Sequence, residues 1–382
     1  MNICTEYSRY FAIHRRNSTP HAERYVKGLR DVKGRKNISH LSKGIGSHDY
    51  EDMQHFVSDS PWDHVPLMRQ LARDVEKRLV VRGACVLYIN ESAFPKKGKS
   101  PAGVERQICG WQSKENCQIG VFASLGQGRF TVPVDFRLFL PESWANNAQR
   151  CAKVKVPEQE RVFRTKSELA LEMVGAAISN KLGHEWIVGG EIFGSDHKFT
   201  DELEKLGQAY LMDVDSETQV WEQNPDASAD HATAANHGKS GKGGKKQKQK
   251  RSSVAGLAKK YESDSRMMIV SGAGTKGAKR VRLWARRVWV WNGRAKDPVR
   301  ERWLVVRNDA GKCKYSLSNA RVGTSWEKLR EIQEQHHLVQ HAFENSKNKF
   351  GMTHYGGKSW RGWHHHMALY CLALLEALRE HT

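Results

Sequence analysis

The sequence predicts an α/β fold with a helical N-terminal region and a polar insertion. Three observations carry that expectation. Apolar runs of strand length recur at Ala84–Ile89, Cys117–Leu125 and Phe130–Leu140, joined by short connections. Beyond Thr165 the pattern alternates between helical spacing and short strands. Apolar residues make up 39% of 382 positions, enough for a sizeable core, and charged residues make up 27%, an ordinary globular share.

Taken in order, residues 1–80 read as helical and polar, with Tyr50–Asp63 (YEDMQHFVSDSPWD) a helix running into a Ser-Pro stop. The run ACVLYI at Ala84–Ile89 is a buried strand. The two runs that follow complete an antiparallel meander. Thr165–Leu182 places Leu169, Leu171, Met173, Val174 and Ile178 at helical spacing. Trp186–Val188 is a strand, Thr200–Leu206 a helix and Ala209–Val214 a strand. The order β-β-β-α-β-α-β is that of an RNase H-like fold. Residues 217–265 interrupt it as a polar insertion. Val288, Val290, Leu304, Val305 and Val306 then mark two strands around a turn near Asn292-Gly293. Trp326–Lys349 is a long helix, and Trp363–Arg379 a terminal amphipathic one.

Charge is unevenly placed. The chain carries 62 Lys and Arg against 42 Asp and Glu, a net +20. Residues 239–307 hold 21 basic and 4 acidic residues, an excess of 17, while the other 313 share an excess of 3. Such a concentration points to a polyanion, and to nucleic acid bound through its phosphates. His237–Ser253 (HGKSGKGGKKQKQKRSS) reads as a flexible basic loop that cannot bury apolar area. In Val281–Arg307, arginines interleave with Trp284, Trp289, Trp291 and Trp303. That pattern can hold backbone and stack on bases, although each tryptophan by itself reads as core.

Other classes are excluded by pattern. No run of 18 apolar residues occurs, so no transmembrane helix is expected, and Met1–Arg16 lacks the apolar stretch of a secretory signal. Seven scattered cysteines form no CxxC pair and read as reduced thiols in a cytosol, with no zinc finger. His364–His366 read as the start of an amphipathic helix with phosphate-facing imidazoles. His337 and His341 share one helix face without the Glu of HExxH, and read as helix surface. GAGTKG at Gly272–Gly277 lacks the GxxxxGK[ST] pattern and reads as a turn.

Seven stretches in order resemble one family. Tyr50–Asp63 resembles its "QQFVSQSPWD" segment, and Asn90–Gly98 (NESAFPKKG) its "D[DE]TGFxKKG". Val104–Cys117 resembles the run after that, and Leu140–Trp144 (LPESW) and Phe163–Ala170 (FRTKSELA) its middle. Gly189–Asp196 (GGEIFGSD) resembles "ADExYGxD", and Phe343–Trp363 (FENSKNKFGMTHYGGKSWRGW) resembles "FxxAKGExGLDHYExRSWxGW". The chain thereby resembles the DDE-type insertion-sequence transposases of the insertion-sequence 701 family, relatives of the group with a YREK signature. The resemblance runs from about Tyr25 to Leu375 and implies an RNase H-like catalytic core. In that family two Asp and one Glu hold two divalent metals for in-line phosphoryl transfer.

Carried over residue by residue, the acids are replaced. The first Asp falls on Asn90, the second on Gly190 and the Glu on Gln340. The signature's Tyr falls on Gln333 and its Arg on His336, and its Lys is kept as Lys347. The substitute carboxylates nearest in sequence are Glu91, Glu191 and Glu344. Glu344 stands on the helix face of Gln340, and Glu91 on a strand faces away from Asn90. No metal ligand set is therefore expected, and Mg²⁺ or Mn²⁺ belongs only to the reading in which the acids have relocated.

The resulting expectation is a transposase-derived protein that binds double-stranded DNA without strand-transfer chemistry. The alternatives are an active transposase with a relocated triad, a relic, and a protein or RNA interaction module acting through the basic loop. Residues 1–80 are expected as a helical DNA-binding region and 81–216 as the first part of the core. Residues 217–310 are the insertion, with its loop at 237–253, and 311–382 complete the core. The expected DNA contacts are Lys96, Lys97, Lys242, Lys245, Lys246, Lys248, Lys250, Arg251, Arg282, Arg286, Arg287, Lys347 and Arg361. The resemblance implies a homodimer, and the expected location is cytoplasmic, on the nucleoid.

Overall fold

A computed structural model describes residues 2–13, 16–46, 50–108, 114–225, 250–271, 278–291 and 299–381. Its main helices are α1 (Thr19–Asp31), α2 (Ile38–Gly44), α3 (Tyr50–Ser58), α4 (His64–Val80), α5 (Ala148–Lys153), α6 (Lys166–Ser179), α7 (His197–Lys205), α8 (Val254–Lys260), α9 (Trp326–Lys349) and α10 (Trp360–Arg379). Its main strands are β1 (Val86–Pro95), β2 (Glu105–Ile108), β3 (Lys114–Gln127), β4 (Phe130–Leu138), β5 (Trp186–Gly189), β6 (Tyr210–Val214), β7 (Arg266–Ser271), β8 (Ala278–Val290), β9 (Arg300–Asp309) and β10 (Lys312–Ser318). The chain divides into two units, one of residues 1–185 with 338–382 and one of residues 186–337.

The first unit is organised around β3. Its ladder with β1 runs antiparallel from Val86↔Gly126 to Pro95↔Cys117. On the other side it pairs with β4, and at its start with β2. The expected meander is present, with the β2 hairpin added. One boundary differs. The first strand does not stop at Ile89 but continues to Pro95, because β3 offers pairing partners that far, and Asn90 therefore lies mid-strand. A bulge between Ala123 and Ser124 puts Val134 out of register in β4.

Local signals fix the helices of this unit. Asp63 caps α4 by accepting from the Val65 N–H, and Leu67, Leu71, Val75 and Leu79 bury one face at i, i+4 spacing. Thr165 and Glu168 form a capping box on α6. Helix α3 ends at Ser58, ahead of Ser60-Pro61, so the expected helix to Asp63 is shorter. Helix α10 is buried at Trp360 and from Gly362 to Leu375, and packs on α1, α3, α4 and β4. Its Trp363 meets the rings of Phe94, Phe122 and Phe136 at 5.7, 6.3 and 5.7 Å. A Cβ on Gly120 would stand 2.8 Å from Trp363, so only glycine admits this ring.

The second unit holds a six-stranded sheet in the order β7-β8-β9-β10-β6-β5. β5 and β6 are parallel, joined through α7, which Asp196 caps. The other pairings are antiparallel. The two basic strands predicted from Val281–Arg307 are β8 and β9, paired from Arg282↔Asn308 to Val290↔Arg300. Their turn, residues 292–298, lies outside the described residues. One face of the sheet buries Trp284, Val288, Leu304, Val306 and Leu317 against Val254 and Leu257 of α8.

Two expectations are corrected here. Residues 217–265, expected as a polar insertion, are not polar throughout. Ser252–Ser253 pair with Gln219–Val220, and α8 follows, because Val254, Leu257 and Ala258 supply a short apolar face that the sheet covers. The loop expected over 237–253 therefore ends before Ser252, and 237–249 lie outside the described residues, as does Gly272–Gly277. Among the described residues no helix is long and apolar enough to cross a membrane. The six described cysteines are free thiols, five of them buried.

Candidate metal centre and nucleic-acid interface

Tyr88, Asn90 and Ser92 share one face of β1. That face meets the C-terminal half of α9. Tyr88 packs edge-on to Phe343 at 5.9 Å, and the Lys347 Nζ reaches the Ser92 Oγ at 3.4 Å. Asn90 stands between them, and its cross-strand partner Phe122 also meets Phe343, at 5.7 Å. Gln340 is half-buried, one turn before Glu344 on the same helix. The register thus places Asn90 beside this stretch of α9.

The donor chemistry does not fit a pair of divalent ions. Asn90 is 5% exposed, and neither atom of its amide makes a hydrogen bond among the described residues. It is neutral where hard cations select carboxylate oxygen. Gly190, ahead of the single turn Glu191–Gly194 in the second unit, offers no side chain. Its φ of −79° suits any residue and nothing lies within 4 Å of a Cβ there, so the backbone does not demand glycine. Among the described residues no group of three or more His, Cys, Asp or Glu is placed to hold a metal ion.

The substitute acids have other environments. Glu91 points to the opposite face of β1, where its Oε2 pairs with the Lys166 Nζ of α6 at 2.5 Å. Glu344 pairs with Lys347 at 2.5 Å, one turn along α9. Glu191 is different. Burial, then Asp213 and Asp215, raises its carboxyl above the ordinary glutamate range. Asp213 is buried on β6, accepts from the Ser316 hydroxyl at 2.7 Å and faces the His336 Nδ1 at 3.5 Å. Burial pushes the His336 pKa down. Sequence reading missed this cluster because its members come from four separate segments.

Asn90→Asp tests the environment directly. Burial is expected to hold a carboxylate here above its unfolded value near 3.9, since the amide it replaces makes no hydrogen bond among the described residues. The variant is expected to melt like wild type at pH 4. By pH 7, where the unfolded chain is ionised and the folded site resists, it should lose about 2–3 kcal/mol. Urea melts at both pH values check this, and equal stability at pH 7 would mean a cationic shell remains around residue 90.

The expected DNA contacts divide by environment. Lys97 is exposed. Lys96 is not: its Nζ donates to the Tyr355 carbonyl at 2.5 Å, and burial lowers its pKa to about 8. Lys347 is held by Glu344 and Ser92, and Arg361 donates to the Asp59 carbonyl at 2.9 Å. On β8, Arg282 reaches Glu262 at 3.4 Å, Arg286 lies 4.0 Å over the Tyr261 ring, and Arg287 pairs with Glu301 at 3.0 Å. Arg251 lies 4.6 Å over Trp221 and 5.3 Å over Trp291, and Lys250 is exposed beside it. Lys242, Lys245, Lys246 and Lys248 lie outside the described residues. Trp284 is core, and the Trp303 indole donates to the Arg321 carbonyl.

The histidine run is corrected. His364, His365 and His366 do not face phosphates but are all buried. The apolar helix that carries them is enclosed on every side, and each ring finds a backbone carbonyl. The His366 Nε2 meets the Met352 carbonyl and its Nδ1 accepts from the Tyr25 hydroxyl at 2.8 Å, which fixes a neutral tautomer. His365 stacks 3.7 Å from Trp62, with its two nitrogens 2.9 Å from the Val57 and Trp62 carbonyls. A second proton would let both nitrogens donate, but burial and the neighbouring His64 push its pKa down to about 3. His337, expected at the helix surface, is half-buried, with its pKa lowered to about 3 chiefly by burial.

Known proteins give an independent comparison. A family described as DDE superfamily endonuclease matches residues 10–277. A probable transposase for insertion sequence element IS701 from Microchaete diplosiphon is 24% identical over 203 residues, covering 51% of this chain and 48% of the relative. The chain thus spans about half the length of the curated relative it matches. The family match contains Asn90 and Gly190 but stops before α9, so the placing of Gln340 rests on the Phe343–Trp363 motif.

Proposed function

The chain belongs to the DDE superfamily endonucleases, and from that membership we propose that it binds double-stranded DNA without DDE strand-transfer chemistry, in a regulatory or targeting role on the nucleoid. The observation that carries the reading is Asn90, a buried amide with no hydrogen bond among the described residues, where by resemblance the family's first aspartate falls. Gly190 and Gln340 extend it, since all three ligand positions lack the negative charge that two divalent ions require. The excess of 17 positive charges within residues 239–307 supplies the attraction to phosphate.

A second reading draws on Glu191. Its raised carboxyl beside Asp213 and Asp215 is the environment in which a relocated acid would stand, and with it an active, metal-dependent transposase. Against that reading, Glu91 is turned away and held by Lys166.

One assay separates them. Supercoiled plasmid carrying the gene's flanking DNA is incubated with the protein in Mn²⁺, and the same tubes are run as a gel shift. The expected result is a shift that weakens steeply with salt and no nicked circle. Metal-dependent nicking that disappears in a Glu91→Gln, Glu191→Gln, Glu344→Gln variant would restore the active transposase.

A further inference from the structure

The first unit carries a cleft of about 470 Å³ whose lining includes five cations and, among the described residues, no acid. Lys99 comes from the segment after β1, Arg150 and Lys153 from α5, Lys155 from the turn that follows, and Lys358 from the approach to α10. The segments are scattered over some 260 positions, so this is not a run of charge along one solvated helix. None of the five was expected as a DNA contact from the sequence, and all lie outside the basic segment 239–307.

The cleft is held in shape from beneath. Trp144 is fully buried and the Arg150 guanidinium lies 3.7 Å over its ring. Arg150 also donates to the Lys99 carbonyl at 3.2 Å and the Val104 carbonyl at 3.3 Å. The Trp360 N–H donates to the Val154 carbonyl, and the Ala102 N–H to the Lys358 carbonyl, so the segments of the rim are tied to one another. Lys155 spends its charge on Asp59 at 2.8 Å. Lys99, Lys153 and Lys358 are exposed and have no acidic partner among the described residues. Three ammonium groups brought together around one concavity repel each other, and an anion relieves that. The mouth also lies at the N-terminus of α10, a 20-residue helix whose dipole adds positive potential there.

We infer that this cleft binds phosphate, and that its phosphate is the backbone of a nucleic acid: Lys99, Lys153 and Lys358 contact it, and Arg150 positions the rim. This rests on the DNA-binding reading above and adds a second contact surface, separate from the basic segment. Lysines suit it because they read phosphate as point charges without base specificity.

The test uses the 382-residue chain and a Lys99→Gln, Lys153→Gln, Lys358→Gln variant, with a Lys27→Gln, Lys77→Gln, Lys181→Gln variant of equal charge change as control. Thermal melts first show that all three fold alike. Duplex affinity is then measured from 50 to 300 mM salt. Each lost phosphate contact removes about 0.9 from the slope of log affinity against log salt. The cleft variant should therefore show a slope smaller by about 2–3 and bind on the order of 100-fold more weakly at 0.1 M salt, the control shifting far less. Equal losses in both variants would overturn the cleft and leave only net charge. No salt-sensitive binding by wild type would overturn both the cleft and the DNA-binding reading, whereas intact binding by the cleft variant overturns the cleft alone. Inorganic phosphate that raises the wild-type melting temperature at millimolar concentration, with DNA affinity unchanged in the variant, would assign a free-phosphate site instead. Polyglutamate competing as well as duplex of equal charge would assign an acidic protein partner.

Discussion

Lowering the pH from 7 to 5 is expected to cost the protein about 4 kcal/mol through two histidines alone. Burial pushes His64 down to about 4 and His366 down to about 3, from an ordinary value near 6.5. The unfolded chain takes up a proton on each as pH falls through 6.5, while the folded protein does not. Between pH 6.5 and the folded values the unfolded state binds more protons, so stability falls as pH falls. Above pH 7 both states are neutral and these rings contribute no slope. At pH 5 each ring lies about 1.5 pH units below its unfolded value, or about 2 kcal/mol. His364, also driven down by burial, adds to the loss in the same direction. Against a typical total of 5–15 kcal/mol, that brings many such proteins near unfolding. Urea melts at pH 7, 6 and 5 measure it. His366→Gln should remove about 2 kcal/mol of this pH dependence, at the cost of some stability at pH 7 where Tyr25 loses its acceptor. A midpoint independent of pH over this range would mean that the rings are not buried in their neutral form.

Trp363→Ala is expected to destabilise by about 3–5 kcal/mol, the largest effect of any single substitution considered. The ring is 1% exposed and fills the space over Gly120 between Phe94, Phe122 and Phe136. A glycine cannot grow to refill the void, and three aromatic rings lose their contacts with the indole together. The cavity also lies beneath the strand that carries Asn90. Denaturant melts of the variant check the size of the loss. A change under about 1 kcal/mol would show that the surrounding rings collapse into the gap.

Much of the architecture could be read from the chain by itself. The apolar runs at Ala84–Ile89, Cys117–Leu125 and Phe130–Leu140 correspond to β1, β3 and β4 because strand burial depends on local alternation and composition. The bounds of α9 coincide with the predicted Trp326–Lys349 helix. Asn90 and Glu91 were placed on opposite faces of a strand from periodicity alone, and the Lys166 pairing of Glu91 agrees. What escaped were short elements without a local signal of their own. Residues 252–260 read as part of a polar insertion, since three small apolar side chains on α8 gain meaning only beneath the sheet.

The site divides along the same line. The sequence by itself determined that Asn90, Gly190 and Gln340 are uncharged, the observation on which the proposed loss of chemistry rests. Identity and charge are properties of single residues, and no fold can supply them. Only the tertiary structure decided which groups are buried and what they meet. His364–His366 are polar in sequence yet enclosed by α1, α3, α4 and β4, because a helix wrapped on all sides has no solvated face. The arginines of β8 form a basic stripe in sequence, yet Glu262 and Glu301 meet two of them. Lys99, Lys153 and Lys358 are unremarkable one by one and form a charged cleft only where three distant segments converge. Burial and convergence are sums over contacts far apart in the chain, and local pattern carries no record of them.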